Sequence, residues 1–469
     1  MQEHLERELK LIPGDGFRLA DFGEPMPARI FVSTYHDTSD LRLARHGITF
    51  RHRVEDGTRL WQLKIPSGEA RIELEVPGPP ARPPSELTGL LAAHLRDQPL
   101  VRVARLRTRR QGVRKDGAEI VEDSVSVFEA QRVTRRFREV EIELLDGDER
   151  TLQRLARLLR KAGAKPGVFR PKLYQALDLV FDREPRTLGA DAAPGEAVGL
   201  ALVEQHWNLL DHDPGTRFGA DPEDLHQMRV ATRRARAFLR AARELLEPVW
   251  AEGLRAELGW LGSALGPARD ADVLLDHVRA EVEAIGKDAE PLRALVSSLE
   301  AERETARGAA VAALSESRYF DLLDLLEQAG DPPLVPEASS SLADLWWAEF
   351  GRTRRAFDKL DKKSSDAELH SARIRVKRAR YAAELAAHEL GEPGRRFVDA
   401  AKKLQDALGE HQDSCVAEES IRLWAASNPE AEVAVGVLVE RERKRREDAR
   451  RSWPKAWNRL ARRAQRARA

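Results

Sequence analysis

The sequence predicts an α+β chain of two domains: an N-terminal β domain and an all-helical domain built from two similar repeats. Up to about Val180, short runs alternate polar and apolar residues between turns such as EDGT and PSGEA, which is typical of strands. After residue 198, long segments rich in Ala, Leu, Arg and Glu follow a helical period. Residues 181–197 lose all periodicity and gather Pro, Gly and Ala. We therefore expect a linker there, between domains at 1–180 and 198–469.

The composition excludes several classes of protein. The 469 residues, 42% hydrophobic and 33% charged, are enough for two or three domains with complete cores. The 78 basic and 78 acidic residues cancel, so the net charge does not indicate a nucleic-acid binder. The single cysteine, Cys415, excludes an intramolecular disulfide and a multi-cysteine zinc site. The sequence shows no leader peptide and no apolar run of about 18 residues, so we expect a cytoplasmic protein without a membrane span.

The N-terminal domain carries charges with a period of two. The first strand, HLERELKL, places Glu6, Glu8 and Lys10 on one face. The same alternation groups the charges of FRHR, RIELE, RLRTR and EVEIE, which include Arg51, Arg53, Arg105, Arg107, Glu139, Glu141 and Glu143. If helices cover the apolar faces of these strands, the charged faces line a wet barrel or cleft. The alternative is an ordinary sheet with a solvated face of cross-strand ion pairs.

A cavity lined by both carboxylates and cations suits a phosphate chain chelated to a divalent metal ion. Carboxylate oxygens hold Mg²⁺ or Mn²⁺, while guanidinium and ammonium groups neutralise the remaining phosphate charge. Hydrolysis then needs an in-line water and charge stabilisation more than a covalent nucleophile.

Several motifs, in order, resemble the CYTH domain of the triphosphate tunnel metalloenzymes: ERELK, YHDTSDLRLARHGITFRHR, WQLKIP, RIELE, RLRTRR, EVEIELLDGD and KPGVFRPKL. The resemblance covers about residues 1–180 and implies an eight-stranded antiparallel tunnel with covering helices. It implies that Glu6 and Glu8 bind the metal, that Lys10 joins them in the catalytic set, and that Glu139, Glu141 and Glu143 cover the remaining metal ligands, without deciding which of the three coordinates. The residues that it implies bind the triphosphate are Lys10, Arg51, Arg53, Lys64, Arg105, Arg107, Lys165 and Lys172.

In the helical half, LHQMRVATRRARAFLR carries a basic stripe. At about 100° per residue, the side chains at 226, 229, 233, 236 and 240 fall within about 80° of one another, and no acid interrupts them. Apolar residues occupy the opposite side and supply a core face. Solvated helix faces usually mix cations with acids at i,i+4, so the stripe predicts a surface for a polyanion. The alternative is a solvated face whose acids lie on another helix.

The pattern recurs later in the chain. The segment DLHQMRVATRRARAFLR resembles ELHSARIRVKRARYAAE, and LGPARDADV resembles LGEHQDSCV. We predict two repeats, at about 198–328 and 341–465, whose stripes face each other about a pseudo-twofold axis with an anion between them. The residues predicted to contact the polyanion are His226, Arg229, Arg233, Arg234, Arg236, Arg240, His370, Arg373, Lys377, Arg378 and Arg380. Four acids, Asp270, Asp272, Asp406 and Asp413, either orient these arginines or cap helices near Gly266 and Gly409.

These helical motifs resemble the CHAD domain over about residues 198–465, which implies a bundle that binds inorganic polyphosphate without catalysis. Both resemblances together imply a metal-dependent inorganic triphosphatase that also binds long-chain polyphosphate and docks on polyphosphate granules. Two alternatives stay open: a non-catalytic polyphosphate-binding protein, and a nucleoside or thiamine triphosphatase or an adenylyl cyclase. Nucleic acid is not favoured, because no aromatic residues are interleaved with the stripes.

Overall fold

The computed structural model divides the chain into two compact units, Met1–Glu184 and Pro185–Ala469. It describes residues 2–68, 70–146, 148–167, 170–180, 188–189, 191–336, 340–361 and 363–468, with the side chains of 2–6 and 287–288 outside the description. The predicted linker falls partly outside the described residues, and the first helix of the second unit begins within it, at Pro194.

One antiparallel sheet forms the first unit. Its strands are β1 (Gln2–Glu6), β2 (Glu8–Ile12), β3 (Glu24–Asp37), β4 (Thr49–Glu55), β5 (Thr58–Ser67), β6 (Ala70–Pro77), β7 (Val101–Lys115), β8 (Ala118–Glu129), β9 (Arg132–Leu144) and β10 (Lys165–Pro166). They lie in the order β1-β6-β5-β4-β3-β7-β8-β9-β2-β10. The predicted α+β fold class is confirmed.

The sheet closes on itself through its N-terminal strand. Only Arg7 separates β1 from β2, so the two are halves of one bent strand. β1 pairs with β6 and β2 pairs with β9, at opposite ends of the sheet. The backbone N–H of Leu144 donates to the Arg7 carbonyl across this junction. When β1 and β2 are counted as one strand and the two-residue β10 is left out, the described part of the chain forms an eight-stranded barrel.

Short helices accompany the barrel: α1 (Arg42–Arg45), α2 (Ser85–Leu90), α3 (Ala92–Leu95), α4 (Glu149–Lys161) and α5 (Lys172–Leu177). α4 begins at a cap where Asp148 Oδ1 accepts from the Thr151 N–H at 3.0 Å. Its apolar side packs on the outer face of the sheet against Ile120 and Ile142. Leu173 of α5 instead joins a cluster with residues on the inner face, including Leu106.

Nine helices form the described part of the second unit: α6 (Pro194–Phe218), α7 (Pro222–Ala241), α8 (Pro248–Ile285), α9 (Arg293–Ala313), α10 (Ser317–Glu327), α11 (Leu342–Phe357), α12 (Asp366–Leu385), α13 (Ala387–Ala425) and α14 (Glu432–Arg468). The two stripes lie on α7 and α12, which pack against each other. A capping box between Ser365 and Glu368 fixes the start of α12.

None of the helices in the described part of the chain has both the length and the apolar character needed to cross a membrane.

Candidate functional site

The barrel encloses a cavity of about 240 Å³ whose wall is mostly charged. It is lined by alternate residues of the strands, because successive strand side chains point to opposite faces. Of the residues predicted from the sequence, the structure places these around the cavity: Glu8, Lys10, Arg51, Arg53, Lys64, Glu141, Glu143 and Lys172. Strands distant in sequence therefore bring acids and bases into one space.

Three glutamates form a row across β2, β9 and β8. Glu8 lies opposite Glu143, and Glu143 lies opposite Glu119. All three line the cavity. Like charges directly opposite on neighbouring strands repel. Lys10 Nζ lies 3.8 Å from Glu8 Oε1 and Arg114 Nη2 lies 2.8 Å from Glu119 Oε1, and a further cation bound beside this row would lower its electrostatic energy. The oxygen-only donor set fits a hard divalent ion such as Mg²⁺ or Mn²⁺.

A second group of three carboxylates surrounds the Lys172 ammonium. Lys172 Nζ lies 3.0 Å from Asp123 Oδ2, 2.6 Å from Glu139 Oε1 and 2.7 Å from Glu141 Oε1. Lys10 Nζ adds a second ammonium 2.7 Å from Glu141 Oε1. The spacing of the three acids would allow a metal ion, but in this arrangement the lysines already neutralise them.

Arg110 closes this network from β7. Its Nε and Nη2 donate to the two carboxylate oxygens of Asp123 at 2.8 and 2.7 Å, and Nη2 also donates to Glu141 Oε2 at 2.8 Å. Asp123 is fully buried, so the bidentate contact supplies the charge that its carboxylate needs.

The pKa values of Lys172 and Glu141 indicate that both groups stay ionised. Burial lowers the pKa of Lys172, but Glu139, Glu141 and Asp123 outweigh it, and the net pKa is well above the usual value. Burial raises the pKa of Glu141, but Lys10, Lys172 and Arg110 outweigh it and hold the pKa well below the usual range. These groups therefore act as fixed charges near neutral pH rather than as a proton donor and acceptor.

The opposite wall carries the cations Arg51 and Arg53 of β4 and Lys64 of β5, while β6 adds Arg71 together with two acids, Glu73 and Glu75. Arg51 Nε donates to Gln62 Oε1 at 2.7 Å, and Arg51 Nη1 donates to the Tyr35 hydroxyl at 3.1 Å. Lys64 Nζ lies 3.4 Å from Glu73 Oε2. Burial and the neighbouring Arg51 lower the pKa of Arg53 to about 10. A bound anion would relieve this crowding of positive charge.

Three predicted residues of the N-terminal domain are not placed at the cavity. Arg105 and Arg107 are exposed on the outer face of β7, where they alternate with the buried Leu106 and Thr108. The prediction turned the wrong face inward, because α4 covers β7 only near Val113 and the rest of that outer face is solvated. Lys165 is also exposed, in the short edge strand β10.

The two remaining predicted residues are Glu139 and Glu6. Glu139 is buried beside Lys172. The backbone of Glu6 lies in β1 opposite Arg71, but its side chain lies outside the described residues.

The sequence reasoning missed Arg110 and Asp123. The doublet Arg109–Arg110 contained a signal, because consecutive strand residues face opposite sides and one of the two has to point inward. Asp123 lies between Val121 and Val125 on the same face of β8, and both valines are buried. An acid within an apolar strand face is a candidate for a buried charge network.

The helical unit contains a larger cavity of about 820 Å³, lined by α7, α8, α12 and α13. We name it the basic groove. The predicted residues that line it are His226, Arg229, Arg233, Arg234, His370, Arg373, Lys377 and Arg380. Acids from the neighbouring helices, among them Asp270 and Asp413, also line it, so the groove is basic without being free of acids.

Arginines of the two stripes converge on Glu384 of α12. Arg234 Nη2 lies 2.8 Å from Glu384 Oε2, and Arg380 Nε lies 3.4 Å from Glu384 Oε1. Arg233 Nε donates to the hydroxyl of the buried Tyr381 at 2.9 Å. These contacts fix the guanidinium groups at the groove wall, which lowers the entropy that an anion must remove on binding.

Lys377 lies among the groove cations. Arg373 and Arg380 flank it on α12 and Arg233 approaches from α7, while Asp413 on α13 partly offsets them. Burial and these arginines lower the pKa of Lys377 to about 7. The groove therefore contains a side chain whose charge changes near neutral pH.

Three predicted groove residues lie elsewhere. Arg240 and Arg378 line a small separate pocket with Arg243 and Arg352. Arg236 is exposed and lies beside Gly259 of α8, where an added Cβ would come within 3.4 Å of its guanidinium. The stripe on α7 is longer and wider than the groove, so only part of it can face the cavity.

The proposed helix-capping role for the four acids is wrong. Gly266 lies inside α8, and Gly409 lies inside α13 well past the break of that helix at Gly391, so no cap is needed at either glycine. Asp270 instead pairs with Arg229 at 2.8 Å, and Asp272 pairs with Arg303 of α9 at 2.6 Å.

Comparison with known proteins identifies both halves. A CYTH domain model matches residues 4–172 and a CHAD domain model matches residues 201–422. A protein of Mycobacterium tuberculosis described as uncharacterised is 32% identical over 463 residues, which cover 89% of this chain and 87% of that protein.

Several solved structures are also similar. PptA from Streptomyces chartreusis is 23% identical over 56% of this chain and 99% of its own, with a TM-score of 0.49. The CHAD domain of the plant Ricinus communis is 27% identical over 60% of this chain and 96% of its own, also with a TM-score of 0.49. A Hippeastrum protein described as a proposed adenylyl cyclase with a dominant triphosphatase activity is 17% identical over 37% of this chain and 97% of its own, with a TM-score of 0.27.

The resemblance drawn from the motifs is thus confirmed. CYTH family members are triphosphatases or cyclases, which supports a general activity in phosphoryl transfer or hydrolysis for the first unit. With motifs, domain models and a full-length relative in agreement, the chain belongs to the family of proteins that join an N-terminal CYTH domain to a C-terminal CHAD domain.

Proposed function

We propose that the N-terminal domain is a metal-dependent triphosphatase that hydrolyses inorganic triphosphate to pyrophosphate and phosphate. One observation carries the proposal: a single cavity has the acids of β2, β8 and β9 on one wall and the cations of β4 and β5, Arg51, Arg53 and Lys64, on the other. A metal ion at the first wall and phosphate groups at the second would each meet complementary charge.

The row of Glu8, Glu119 and Glu143 would hold Mg²⁺ or Mn²⁺. When bound, the ion would neutralise phosphate oxygens and activate water for attack on a terminal phosphorus. Arg51 and Lys64 would hold the phosphate chain from the other side. Their fixed positions would stabilise the charge that spreads over the phosphoryl oxygens during transfer.

The size and lining of the cavity favour inorganic triphosphate over a nucleotide. Its volume of about 240 Å³ is below the roughly 300–1,000 Å³ typical of pockets for drug-sized ligands. Of its aromatic residues, Phe31 is covered by the Arg53 guanidinium, which lies 3.8 Å from the ring centroid. This leaves little apolar surface for stacking a base.

The experiment is phosphate release from inorganic triphosphate, ATP, thiamine triphosphate and long-chain polyphosphate, each with Mg²⁺ and with Mn²⁺. We expect inorganic triphosphate to be preferred and the Glu8→Gln/Glu143→Gln double variant to be inactive. Glu122→Gln, on β8 but ion-paired outside the cavity with Arg138, is the matched control. No release from any substrate by the wild type would reject the enzymatic proposal in favour of a tunnel that only binds.

For the helical domain we propose that the basic groove binds inorganic polyphosphate. Support comes from the cations that both stripes contribute to one cavity of about 820 Å³. Titration of polyphosphate into wild type and into Arg229→Gln/Arg373→Gln tests this, and equal affinities would reject it. We further propose a cytoplasmic protein that docks on polyphosphate granules, which imaging of the tagged chain in cells with and without polyphosphate would test.

A further inference from the structure

The C-terminal helix α14 carries a second basic surface. Between residues 449 and 469 the sequence contains no acid. Lys455, Arg459, Arg462 and Arg466 follow one another at i, i+4, i+7 and i+11, which places them within about 60° of one another on the helix. All four are exposed, and we name them the outer basic face.

The helix beneath this face is firmly packed. Trp453, Leu460 and Ala464 are buried on the opposite side of α14. The ring of Trp457 stacks on Phe357 of α11 with centroids 4.0 Å apart. The outer basic face is therefore held in place by a helix with its own aromatic anchor, and is not a fraying terminus.

The cations of the outer basic face differ from their neighbours along α14. Arg451 pairs with Glu447 at 3.1 Å, and Arg468 pairs with Asp344 at 2.8 Å. Other cations of α14 also form ion pairs. Among the residues that the structure describes, none of these ion pairs involves the four cations of the outer basic face. Their charge is thus available to an external anion.

The remaining exposed positions around this face restrict the kind of partner. They are Ser452, Asn458 and Gln465. No exposed aromatic ring is present to stack on a base, and no exposed apolar side chain is present to enter a lipid interface. Recognition by this part of the helix would rest on charge alone.

α14 also meets the basic groove directly. Arg445 Nη1 lies 2.6 Å from Nδ1 of His277, and His277 lines the groove. Lys455 follows ten residues later, about 15 Å further along the helix at 1.5 Å per residue. A flexible polyanion that leaves the groove near His277 would find the outer basic face within a short length of chain.

We propose that the outer basic face is a second contact for the same polyphosphate chain that the groove binds, so that long chains occupy both surfaces and short chains occupy only the groove. The inference rests on the proposed function of the helical domain. Two linked contacts raise the affinity for a long chain through effective concentration, without any change in either contact.

The test uses the full chain with Lys455, Arg459, Arg462 and Arg466 all changed to Gln. Glutamine has a helix propensity close to those of Lys and Arg, and circular dichroism with thermal melting checks that α14 remains folded. The matched control changes four exposed cations of α4, Arg150, Arg157, Arg160 and Lys161, to Gln and removes the same charge. Each protein is titrated with polyphosphate of about 10 units and of more than about 100 units at several salt concentrations, the salt slope counting phosphate contacts.

We expect the outer-face variant to bind the short chain within about twofold of wild type and the long chain at least about tenfold more weakly, with a shallower salt slope. The α4 control should match wild type for both chains. Equal long-chain binding by variant and wild type would overturn the inference while leaving the groove proposal intact.

Two further outcomes would also overturn it. If the outer-face variant instead loses binding to double-stranded DNA or to anionic phospholipid vesicles, and keeps its long-chain affinity, the partner of this face is a different macromolecule. If wild type binds neither chain length, the groove proposal fails first and the inference fails with it.

Discussion

Glu8 and Glu143 face each other across β2 and β9, and both side chains point into the barrel. We expect Glu143→Gln to weaken Mg²⁺ binding at least about tenfold, since it removes a carboxylate from the metal site. Without metal, the same change should alter the free energy of unfolding by less than about 1 kcal/mol, because it removes both the repulsion from Glu8 and the attraction to Arg110. Thermal melts across a Mg²⁺ series measure both effects. Equal metal-dependent shifts in Glu143→Gln and Glu122→Gln would contradict this assignment.

Removal of the Lys172 ammonium should destabilise the barrel strongly. Lys172→Met leaves Asp123, Glu139 and Glu141 with less positive charge in a buried site, and breaking a buried ion pair typically costs about 3–5 kcal/mol. Urea unfolding measures the loss. Lys172→Met/Glu139→Gln removes one acid as well, and its free energy of unfolding should lie between those of Lys172→Met and wild type. A loss below about 1 kcal/mol, the scale of exposed pairs, would argue against the buried network.

The two faces of the barrel should respond differently to loss of arginine. Arg51→Gln/Lys64→Gln removes cations from the cavity wall and should raise the KM for inorganic triphosphate at least about tenfold, since each charged hydrogen bond contributes about 1.5–3 kcal/mol. Arg105→Gln/Arg107→Gln removes the same charge from the outer face and should leave KM unchanged. Similar KM values for the two variants would show that the cavity is not the substrate site.

Polyphosphate binding should weaken as the pH rises above neutral. The pKa of Lys377 is lowered to about 7 by burial and by Arg373, Arg233 and Arg380, with Asp413 opposing them. A bound polyanion favours the charged ammonium and raises this pKa. Above pH 7, binding must therefore take up a proton, and the affinity should fall by up to about tenfold per pH unit.

Calorimetry in buffers of different ionisation enthalpy measures this proton uptake at pH 8. Lys377→Arg keeps its charge across the range and should show a flat profile from pH 7 to 9. The pKa of His226 is lowered by burial and by Arg269, so its titration falls below this window. Proton uptake that persists in Lys377→Arg would assign the effect to another group.

Glu384 competes with any anion for groove arginines, because it contacts both Arg234 and Arg380. Glu384→Gln should therefore bind polyphosphate about two- to tenfold more tightly, as expected when one like charge is removed from an anion site. Glu392→Gln is the control on α13, because Glu392 also pairs with two arginines, Arg395 and Arg396, but lies outside the residues that line the groove. Weaker binding by Glu384→Gln would mean that Glu384 mainly holds the arginines in position.

The sequence predicted which strand residues share a face, but not which face points inward. Alternation grouped Arg105 with Arg107 correctly, while the inward face of β7 carries Thr108 and Arg110. The choice depends on where α4 packs, and that is a tertiary contact which a strand's own period does not contain. Lys172 was named from a motif, yet its three-carboxylate environment joins β8, β9 and α5 and has no local signal.

In the helical half, too, the period of the sequence did not predict which residues of a stripe face the cavity. The helical period placed Arg236 and Arg240 on one stripe with Arg229, but the groove is shorter than α7 and faces only part of the stripe. The repeats are also unequal, since Arg234 lines the groove and its counterpart Arg378 does not, while Arg380 lines it and Arg236 does not. Aligned residues in two repeats meet different neighbours once the helices pack, so the alignment overstated the symmetry.

The closure of the barrel by its first strand has a consequence for how the protein folds. β2 pairs with β9, so that Glu8 meets Glu143, a contact between residues far apart in the sequence. Loop-closure entropy must be overcome before such pairing stabilises the chain, and topologies rich in distant contacts fold slowly. During synthesis the N-terminal strand emerges long before its partner on β9 exists. Until β9 is made, β2 has no partner along that edge, and the exposed edge is a site for mispairing with another chain.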